Sequence, residues 1–468
     1  MRAFPALLCA TVCTLAGGMC VASPGQAQTA PRASRPPFEN LRFRENWAEA
    51  PSGDPLDPLK HITLSNRGGA WLSLGGHLRV RGESVRHFLG GGTGTRTDAF
   101  LAVRAHLHAD LHLGTHLRGF VEGRVADVAG RELPGGARPL DRNRGDLGNA
   151  FVELAGTLSG ARTAARFGRQ ELLLGRERII SPLDWANVRR VFEGGNVEVR
   201  RGALAFTAFS VRPLVLRPLR RDIADDVTRL WGTTVAWQPA RGGRVLESAV
   251  LVKSVRGVGA PPQARRATAT TRLVTPIVRP DLALEVEGGV QRVEGTGGAT
   301  WATMFATDLT WSPARPGSPS VTIGLDRASG TRAGVPAQSG TWDQLYPLGH
   351  AYAGFADALG RRNLMEERIV TQFSPTPFVR IRTSAHAFQR ASAADAAYDV
   401  AGGIFRSASA TATSRDVGKE IDVTLQWRLA SHLRVDGGLA RFTPGRFPHQ
   451  TGSALPYSWI FSSITATF

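Results

Sequence analysis

The chain has 468 residues, of which 57 are lysine or arginine and 39 are aspartate or glutamate, so its net charge is +18. With 42% hydrophobic and 21% charged residues it has enough apolar material to fold, which excludes a wholly disordered chain. All three cysteines, Cys9, Cys13 and Cys20, lie near the start, so the rest of the chain has no disulfide framework, thiol nucleophile or cysteine-bound metal.

The start of the chain has the pattern of a secretory signal peptide. A basic residue is followed by a largely apolar stretch and by small residues up to Ala27, so we predict a signal peptide over residues 1–27. Processing as a lipoprotein at Cys20 is the alternative, although Met19 is a poor residue before a lipidated cysteine. Residues 28–70 are rich in proline, arginine and glycine without a regular pattern, so we predict a periplasmic N-terminal lead-in there.

Alternating apolar and polar residues begin near residue 71. No stretch of the exported chain stays apolar over 18 residues, so the chain is either soluble or crosses a membrane as a closed β-barrel. From Ala99 to Leu113 every odd position is apolar, while the even positions include Arg104. Successive strand side chains point to opposite faces, so we expect the apolar face, Leu107 included, to contact lipid. Such segments run roughly ten to fifteen residues, enough to cross a ~30 Å hydrocarbon core at a tilt.

The same alternation marks eighteen strands. Short and long connections alternate between them, which is how outer-membrane barrels distribute periplasmic turns and outer loops. We therefore predict an all-β chain with one antiparallel transmembrane β-barrel over residues 71–468, in the outer membrane of a Gram-negative cell. The strands are expected near residues 71–83, 98–113, 115–126, 148–158, 163–171, 193–201, 203–211, 228–238, 245–254, 266–274, 281–292, 299–311, 319–327, 361–373, 377–390, 417–428, 432–442 and 456–468.

Arginine dominates the polar face of these strands. A channel lined by one sign of charge concentrates ions of the opposite sign, and arginine pairs with carboxylates through a fork that stays charged. We therefore predict a conduit for anionic solutes lined by Arg79, Arg81, Arg104, Arg118, Arg124, Arg166, Arg200, Arg380, Arg382 and Arg434. The alternative is a solvated wall in which these arginines only pair with acids, the candidates being Glu122, Glu153, Glu198, Glu285, Glu287, Asp422 and Asp436.

Other site classes find little support in the sequence. His106, His108 and His112 share the polar face of one strand, but the alternation already requires polar residues there, so we predict no metal and no cofactor. The chain lacks a G-x-S-x-G elbow, an HExxH motif and a Walker loop, so we predict no enzyme activity. The arginines are spread over alternate strand positions rather than grouped in one patch, which argues against nucleic acid as a partner.

Two blocks of residues are more specific than the alternation. The first runs from Gly168 through the Pro182-Leu183-Asp184-Trp185-Ala186-Asn187 segment to Gly194, and the second begins at Trp342 and continues to Asp357. Both resemble the alginate export family of outer-membrane porins. The resemblance implies an eighteen-stranded monomeric barrel that exports an anionic polysaccharide such as alginate through an arginine-rich lumen. The residues that carry it are Gly168, Arg169, Gln170, Glu171, Arg178, Asp184, Trp185, Asn187, Arg190, Phe192, Gly194, Tyr346, Pro347, His350 and Asp357.

Within the first block, Asp184, Trp185 and Asn187 lie in an outer loop long enough to fold into the barrel. They either constrict the pore or anchor the loop. The alternatives to a polysaccharide exporter are a general diffusion porin for small solutes and a soluble secreted carbohydrate-binding β-protein.

The last strand alternates and ends in Phe468, which resembles the assembly signal of outer-membrane proteins. The aromatic residues Tyr457, Trp459 and Phe461 stand where an aromatic girdle is expected. The predicted partners are therefore outer-membrane lipid, the barrel assembly machinery through the last strand, and an anionic solute or polyuronate.

Overall fold

The computed structural model describes residues 35–49, 53–65, 67, 69–88, 97–133, 135–239, 243–256, 262–295 and 298–468. Within these residues, eighteen long strands and two short ones form a single sheet in which every pairing is antiparallel. The predicted signal peptide, residues 1–27, lies outside the described residues, as does the start of the predicted lead-in.

Each of the eighteen predicted strands has a counterpart among the long strands. We number the long strands β1 to β18 in chain order. They are β1 (Ala70–Arg86), β2 (Thr97–Leu113), β3 (Leu117–Ala129), β4 (Asn143–Leu158), β5 (Ala161–Gln170), β6 (Phe192–Arg201), β7 (Leu204–Val215), β8 (Thr228–Trp237), β9 (Val245–Arg256), β10 (Pro262–Ile277), β11 (Arg279–Gly295), β12 (Gly298–Trp311), β13 (Ser320–Ala328), β14 (Leu364–Thr376), β15 (Val379–Arg390), β16 (Asp416–Ala430), β17 (Leu433–Pro444) and β18 (Tyr457–Thr467).

The remaining elements are short. Strand Ile62–Ser65 pairs with β1 and strand Ile223–Ala224 pairs with β7. The other elements are a two-stranded sheet of Ala397–Tyr398 and Ile404–Arg406, the 3-10 helices Arg42–Arg44, Asp57–Leu59 and Gly349–Ala351, and the α-helix α1 (Arg446–Gln450). None of the helices in the described part of the chain is long and apolar enough to cross a membrane.

The barrel closes where the first long strand meets the last. β1 pairs with β18 from His77 opposite Thr467 to Arg86 opposite Ser458, while its other edge pairs with β2. The predicted barrel of about 18 strands is therefore confirmed, with β1 starting at Ala70.

The predicted strand bounds are least accurate at β4. This strand begins at Asn143 rather than at residue 148, because its first residues pair with β3 through two irregularities of register. A bulge breaks the alternation of side chains, so the pattern that marks a strand is lost over this stretch.

The alternation also predicts which side chains point outward. Leu107 on β2 is 63% exposed on the outer surface, whereas its neighbours His106 and His108 are buried inside. A closed barrel pairs its backbone groups between its own strands, so it can lie in lipid. An apolar belt around such a barrel is therefore a surface for lipid. The predicted facing of this strand is confirmed.

Replacing Leu107 with arginine is expected to lower the free energy of unfolding by roughly 2–4 kcal/mol, because the charge would lie near the middle of the bilayer. The matched control is Leu158→Arg, since Leu158 is 70% exposed on the same surface but is the last residue of β4. There the same charge should cost only about 0–1 kcal/mol. Urea unfolding in phospholipid vesicles measures the free energy of unfolding of both variants. Equal losses for Leu107→Arg and Leu158→Arg would contradict the assigned facing.

The prediction for the aromatic residues of β18 is wrong. Tyr457, Trp459 and Phe461 are 3–5% exposed and point into the barrel, so they form no girdle at the lipid surface. Trp459 donates its Nε1 hydrogen to Glu83 at 2.9 Å inside the barrel. The outward positions of this strand carry aliphatic residues such as Ile460, which is 50% exposed.

Candidate functional site

The two motif blocks of the sequence meet inside the barrel. Loop A, residues 171–191, joins β5 to β6, and loop B, residues 329–363, joins β13 to β14. The Ser181 amide donates to the Tyr346 carbonyl at 2.9 Å, which forms part of a backbone bridge between the loops. Arg190 Nη1 donates to the same Tyr346 carbonyl at 2.6 Å. The two blocks therefore form one unit in the lumen.

The tip of loop A packs against the inner wall. The Trp185 ring stacks on His350 of loop B, with ring centroids 3.8 Å apart. It also meets Trp459 and Phe461 of β18 edge to face, at 5.3 and 5.0 Å. His350 Nδ1 lies 3.1 Å from the Asp357 carboxylate. Trp185 is thus enclosed by protein groups on several sides, which favours the anchoring interpretation of this residue.

Three of the predicted lumen arginines hold the tip of loop A. Arg79 Nη1 and Arg104 Nη1 each donate to the Asp184 carbonyl at 2.9 Å, and Arg81 Nη1 donates to the Trp185 carbonyl at 2.6 Å. Arg104 Nη2 also binds the Asp184 carboxylate at 2.8 Å. These arginines belong to β1 and β2, so one wall of the barrel presents positive charge to the carbonyl oxygens of the loop.

Asp184 is held in its charged form by this wall. Its side chain is 41% exposed, and its carboxylate is bound by Arg104 and Arg189. Burial raises the pKa of Asp184, yet the positive charges of Arg104, Arg189 and Arg79 outweigh it and place the pKa well below the usual 3.8. Arg189 joins the Asp184 carboxylate to Glu171, whose carboxylate it contacts at 2.6 Å.

Two further motif features fix the ends of loop A. Asn187 Nδ2 lies 3.0 Å from the carbonyls of Val103, Asp127 and Asp141, so it links the loop to β2, β3 and the connection after β3. Gln170, the last residue of β5, donates to the Gly194 carbonyl of β6 at 3.3 Å.

The motif glycines Gly168 and Gly194 face each other across β5 and β6. Their φ angles are +131° and +154°, in the region that glycine favours. A Cβ atom on Gly168 would lie 2.3 Å from the Ala150 carbonyl oxygen, and one on Gly194 would lie 2.2 Å from that of Ser210. The close approach of the strands therefore requires glycine at both positions, where the chain enters and leaves loop A.

The opposite wall of the barrel is acidic where it meets loop A. Arg178 Nη1 binds Glu285 at 2.7 Å and Glu287 at 3.0 Å, both on β11, and its Nη2 binds Asp308 of β12 at 2.8 Å. The Arg178 side chain is only 1% exposed. Loop A therefore offers oxygen atoms to a basic wall and a guanidinium group to an acidic wall, which fixes its orientation across the lumen.

The N-terminal segment, residues 35–49, enters the barrel at the end where the short turns lie. Arg42 donates to the Gly76 carbonyl at 3.0 Å and to the Phe468 carbonyl at 2.8 Å. Arg118 Nη2 donates to the Phe43 carbonyl at 2.7 Å. The sequence predicts only a lead-in here. The alternation of apolar and basic residues around Phe43 is the signal that could have indicated a contact with the inner wall.

The ten predicted lumen arginines differ in their partners. Arg79, Arg380 and Arg382 have no ion pair among the described residues, although Arg79 binds carbonyl groups. The others contact carboxylates: Arg81 with Glu83, Arg104 with Asp184, Arg118 with Asp110 and Glu153, Arg124 with Asp222, Arg166 with Glu153, Arg200 with Glu198, and Arg434 with Asp436.

Of the acids expected to pair with arginine, Glu122 and Asp422 instead contact histidines. Glu122 lies 3.3 Å from His106, and Asp422 lies 3.2 Å from His386. The three histidines of β2 are packed separately, since His108 stacks on Phe120 and His112 stacks on Trp71. Across the described ranges, no group of three His, Cys, Asp or Glu residues is placed to hold a metal ion.

Two of the cavities adjoin the N-terminal segment. The first, about 370 Å³, lies between loop A, the N-terminal segment and strands β5 to β11. Its lining carries equal numbers of basic and acidic side chains. They are Arg44, Arg166, Arg200 and Arg272, and Glu171, Glu198, Glu247 and Glu287. The second, about 1030 Å³, opens at the same end of the barrel beside β15 to β18, and we call it the vestibule. Its lining holds four arginines and no carboxylate: Arg35, Arg380, Arg428 and Arg434.

Comparison with known proteins agrees with this architecture. The sequence profile of the alginate export family matches residues 70–461. The porin OccK8 (OprE) of Pseudomonas aeruginosa has a TM-score of 0.57 at 9% identity, over 85% of this chain and 98% of its own. A BenF-like porin from Pseudomonas fluorescens has a TM-score of 0.57 at 11% identity, over 85% and 99%.

A third similar structure is OccK2 (OpdF) of Pseudomonas aeruginosa in complex with glucuronate, with a TM-score of 0.53 at 12% identity, over 84% of this chain and 98% of its own. At such identities the likeness shows the fold. A search of curated proteins finds no match to the chain. The predicted location in the outer membrane and the predicted resemblance are confirmed, and the soluble alternative is excluded. The chain belongs to the alginate export family of outer-membrane β-barrel channels.

Proposed function

We propose that this channel passes anionic solutes and that an acidic polysaccharide such as alginate is the largest cargo of this class. The observation that carries the proposal is the vestibule of about 1030 Å³, which is lined by four arginines and no carboxylate. A concave site lined by one sign of charge concentrates ions of the opposite sign and raises their rate of entry. The vestibule lies at the end with the short turns, which is the periplasmic end of such barrels, so it would receive a cargo on its way out.

Two of the vestibule arginines keep their full charge for a solute. Arg380 and Arg428 form no ion pair among the described residues. The other two are paired, Arg35 with Asp54 at 3.0 Å and Arg434 with Asp436 at 2.9 Å. A guanidinium fork pairs with a carboxylate through two parallel hydrogen bonds, which suits the repeated carboxylates of a polyuronate. The remaining predicted conduit arginines would act further along the path or in holding loop A.

The proposal includes the other partners expected of such a protein. We propose a monomer that is inserted through its last strand by the barrel assembly machinery, and a role in transport without a catalytic step. The glucuronate complex of OccK2 concerns that protein, but it makes glucuronate a sensible first solute to test.

The test is ion selectivity in planar bilayers. Arg380→Gln combined with Arg428→Gln is expected to lower the anion-to-cation permeability ratio, and chloride or glucuronate gradients give this ratio from reversal potentials. The ratio of the unmodified channel should fall with salt, because the Debye length shrinks from ~10 Å at 0.1 M to ~3 Å at 1 M. The matched control is Arg201→Gln with Arg244→Gln, two exposed residues near the turns that line neither cavity.

An unchanged ratio in the vestibule variant, or a cation-selective unmodified channel, would reject the proposal. A general diffusion porin would then be the better interpretation. Polysaccharide cargo is tested separately by adding uronate oligomers to the periplasmic side, where they should block the current in a manner that depends on Arg380 and Arg428.

A further inference from the structure

A third cavity lies on the outside of the barrel, at the end opposite the vestibule. It has a volume of about 700 Å³ and is formed by the ends of β12 and β13, by loop B and by residues flanking β15 and β16. Trp301 of β12 is 64% exposed on the outer surface beside it, and Arg327 is the second-last residue of β13. Tryptophan at such a position is typical of the boundary between hydrocarbon and head groups. The cavity therefore lies at the level of the outer-leaflet head groups.

The charge of this cavity has one sign. Its lining includes Arg327, Arg332 and Arg415 and no carboxylate. All three arginines are exposed, and none of them forms an ion pair with an acid of the described chain. Three uncompensated guanidinium groups around one concave site form a receptor for a multiply charged anion, and arginine matches the geometry of phosphate oxygens.

The cavity is built by hydrogen bonds that do not depend on a ligand. Thr300 Oγ1 donates to the Ser339 carbonyl at 2.6 Å, and Ser329 Oγ donates to the Gly340 carbonyl at 2.8 Å. Ser392 Oγ donates to the Thr331 carbonyl at 2.7 Å, which ties loop B to the end of β15. Arg332 is thus carried by a loop that is fastened to the barrel wall, whereas Arg327 belongs to β13 and Arg415 directly precedes β16.

A largely apolar surface, broken by the exposed Glu367 of β14 opposite Leu325, continues from the cavity toward the middle of the barrel. Phe305 on β12 and Ile323 and Leu325 on β13 are 47%, 58% and 50% exposed on the outer face. Phe305 pairs directly with Arg327 across the two strands. A ligand seated on the arginines would lay any attached acyl chains along these side chains, so the surface fits an amphiphile better than a soluble ion.

We infer that this cavity binds the phosphorylated sugar head group of a glycolipid of the outer leaflet, with its acyl chains along β12 and β13. The outer leaflet of a Gram-negative outer membrane carries such a lipid, in which phosphates sit next to the acylated sugars. The arginines would neutralise these phosphates in place of divalent cations. This site is separate from the lumen and does not depend on the proposed transport function.

The test measures binding of bisphosphorylated lipid A to the purified, detergent-solubilised barrel by native mass spectrometry. Replacing Arg327, Arg332 and Arg415 together with glutamine is expected to weaken this binding by about tenfold or more, since three charge-assisted contacts are lost. The control replaces Arg162, Arg201 and Arg244, exposed residues near the periplasmic turns, and should leave binding within about twofold. Heat-modifiable migration in gels shows that each variant is folded.

Two further probes separate the sources of the phosphate. Lipid A without its phosphates is expected to bind as weakly as the triple variant binds the intact lipid. Millimolar inorganic phosphate is expected to leave lipid A in place. Equal binding by the triple variant and the unmodified protein, or by dephosphorylated lipid A, would overturn the inference. Displacement by inorganic phosphate would do so too, since the cavity would then be a site for a soluble anion.

Discussion

Replacing Arg178 with alanine is expected to lower the free energy of unfolding of the barrel by about 3–5 kcal/mol, the cost of breaking a buried ion pair from one side. Arg178 is 1% exposed and contacts three carboxylates of the acidic wall. In this variant Glu285 would keep its ion pair with Arg272, and Asp308 would keep its ion pair with Arg368. Glu287 would keep no ion pair within the described residues, so a buried carboxylate would lose its compensating charge.

Two variants separate this effect from the simple loss of a cation. Arg176 lies in the same loop, is 58% exposed and approaches Glu285 only to 3.8 Å, so Arg176→Ala should cost at most about 1 kcal/mol. Adding Glu287→Gln to Arg178→Ala should restore part of the loss, because no uncompensated carboxylate remains at that position. Urea unfolding in vesicles, followed by tryptophan fluorescence, gives all three values. Equal losses for Arg176→Ala and Arg178→Ala would contradict the assignment of Arg178 as the anchor.

The strands of this protein could be predicted from the sequence for a physical reason. A closed barrel has lipid on one side and a polar interior on the other, so each strand alternates between two environments at every residue. The segment from Ala99 to Leu113 shows this without interruption, and it coincides with β2. The pattern fails at the start of β4, where irregular register removes the alternation.

The interior arrangement could be predicted only in part. Alternation assigns Arg79 and Arg104 to the lumen, but it carries no information on what fills the lumen. Arg79 contacts Asp184, which is 105 positions away in the chain, and the ligand atom is a backbone carbonyl that any residue would supply. Contacts of this kind leave no residue preference at the accepting position. The motif resemblance located loop A, and only the fold brings it to these arginines.

The aromatic residues of β18 illustrate a further limit. An aromatic residue is compatible both with the lipid boundary and with a packed interior, so Trp459 and Phe461 do not reveal their facing by type. Loop A determines that both rings face inward, because Trp185 packs edge to face against them from inside the barrel. The sequence of β18 alone therefore does not distinguish a lipid-facing girdle from aromatic residues packed inside the barrel.

Releasing loop A is expected to raise the single-channel conductance several-fold and to make the current noisier. The variant is Arg79→Met combined with Arg104→Met, which removes the guanidinium groups that bind the Asp184 carbonyl at 2.9 Å while keeping the length of the side chains. Each hydrogen bond to a charged group contributes roughly 1.5–3 kcal/mol, so the loop would lose much of its anchoring on the basic wall. A mobile loop in the lumen would open and close the path, and planar-bilayer recordings resolve such steps.

The pH dependence of the unmodified channel follows from Asp184. Arg104, Arg189 and Arg79 hold its pKa well below 3.8 against the effect of burial. A lowered carboxyl pKa stabilises the folded arrangement above the ordinary pKa, and this contribution is lost only as the pH falls through the lowered value. The Asp184 anchor should therefore stay charged from pH 7 to about pH 4, and planar-bilayer recordings should show no release of loop A through this residue in that range.

The control for the double variant removes two other lumen arginines, Arg200→Met and Arg434→Met. Both are about half exposed and pair with an acid on their own strand, and neither touches loop A. If charge in the lumen alone set the conductance, the two double variants would behave alike. If loop A is the barrier, only Arg79→Met with Arg104→Met opens the path. An unchanged conductance in that variant would mean that Asn187 and Arg178 suffice to hold the loop, and the basic wall would lose its role as anchor.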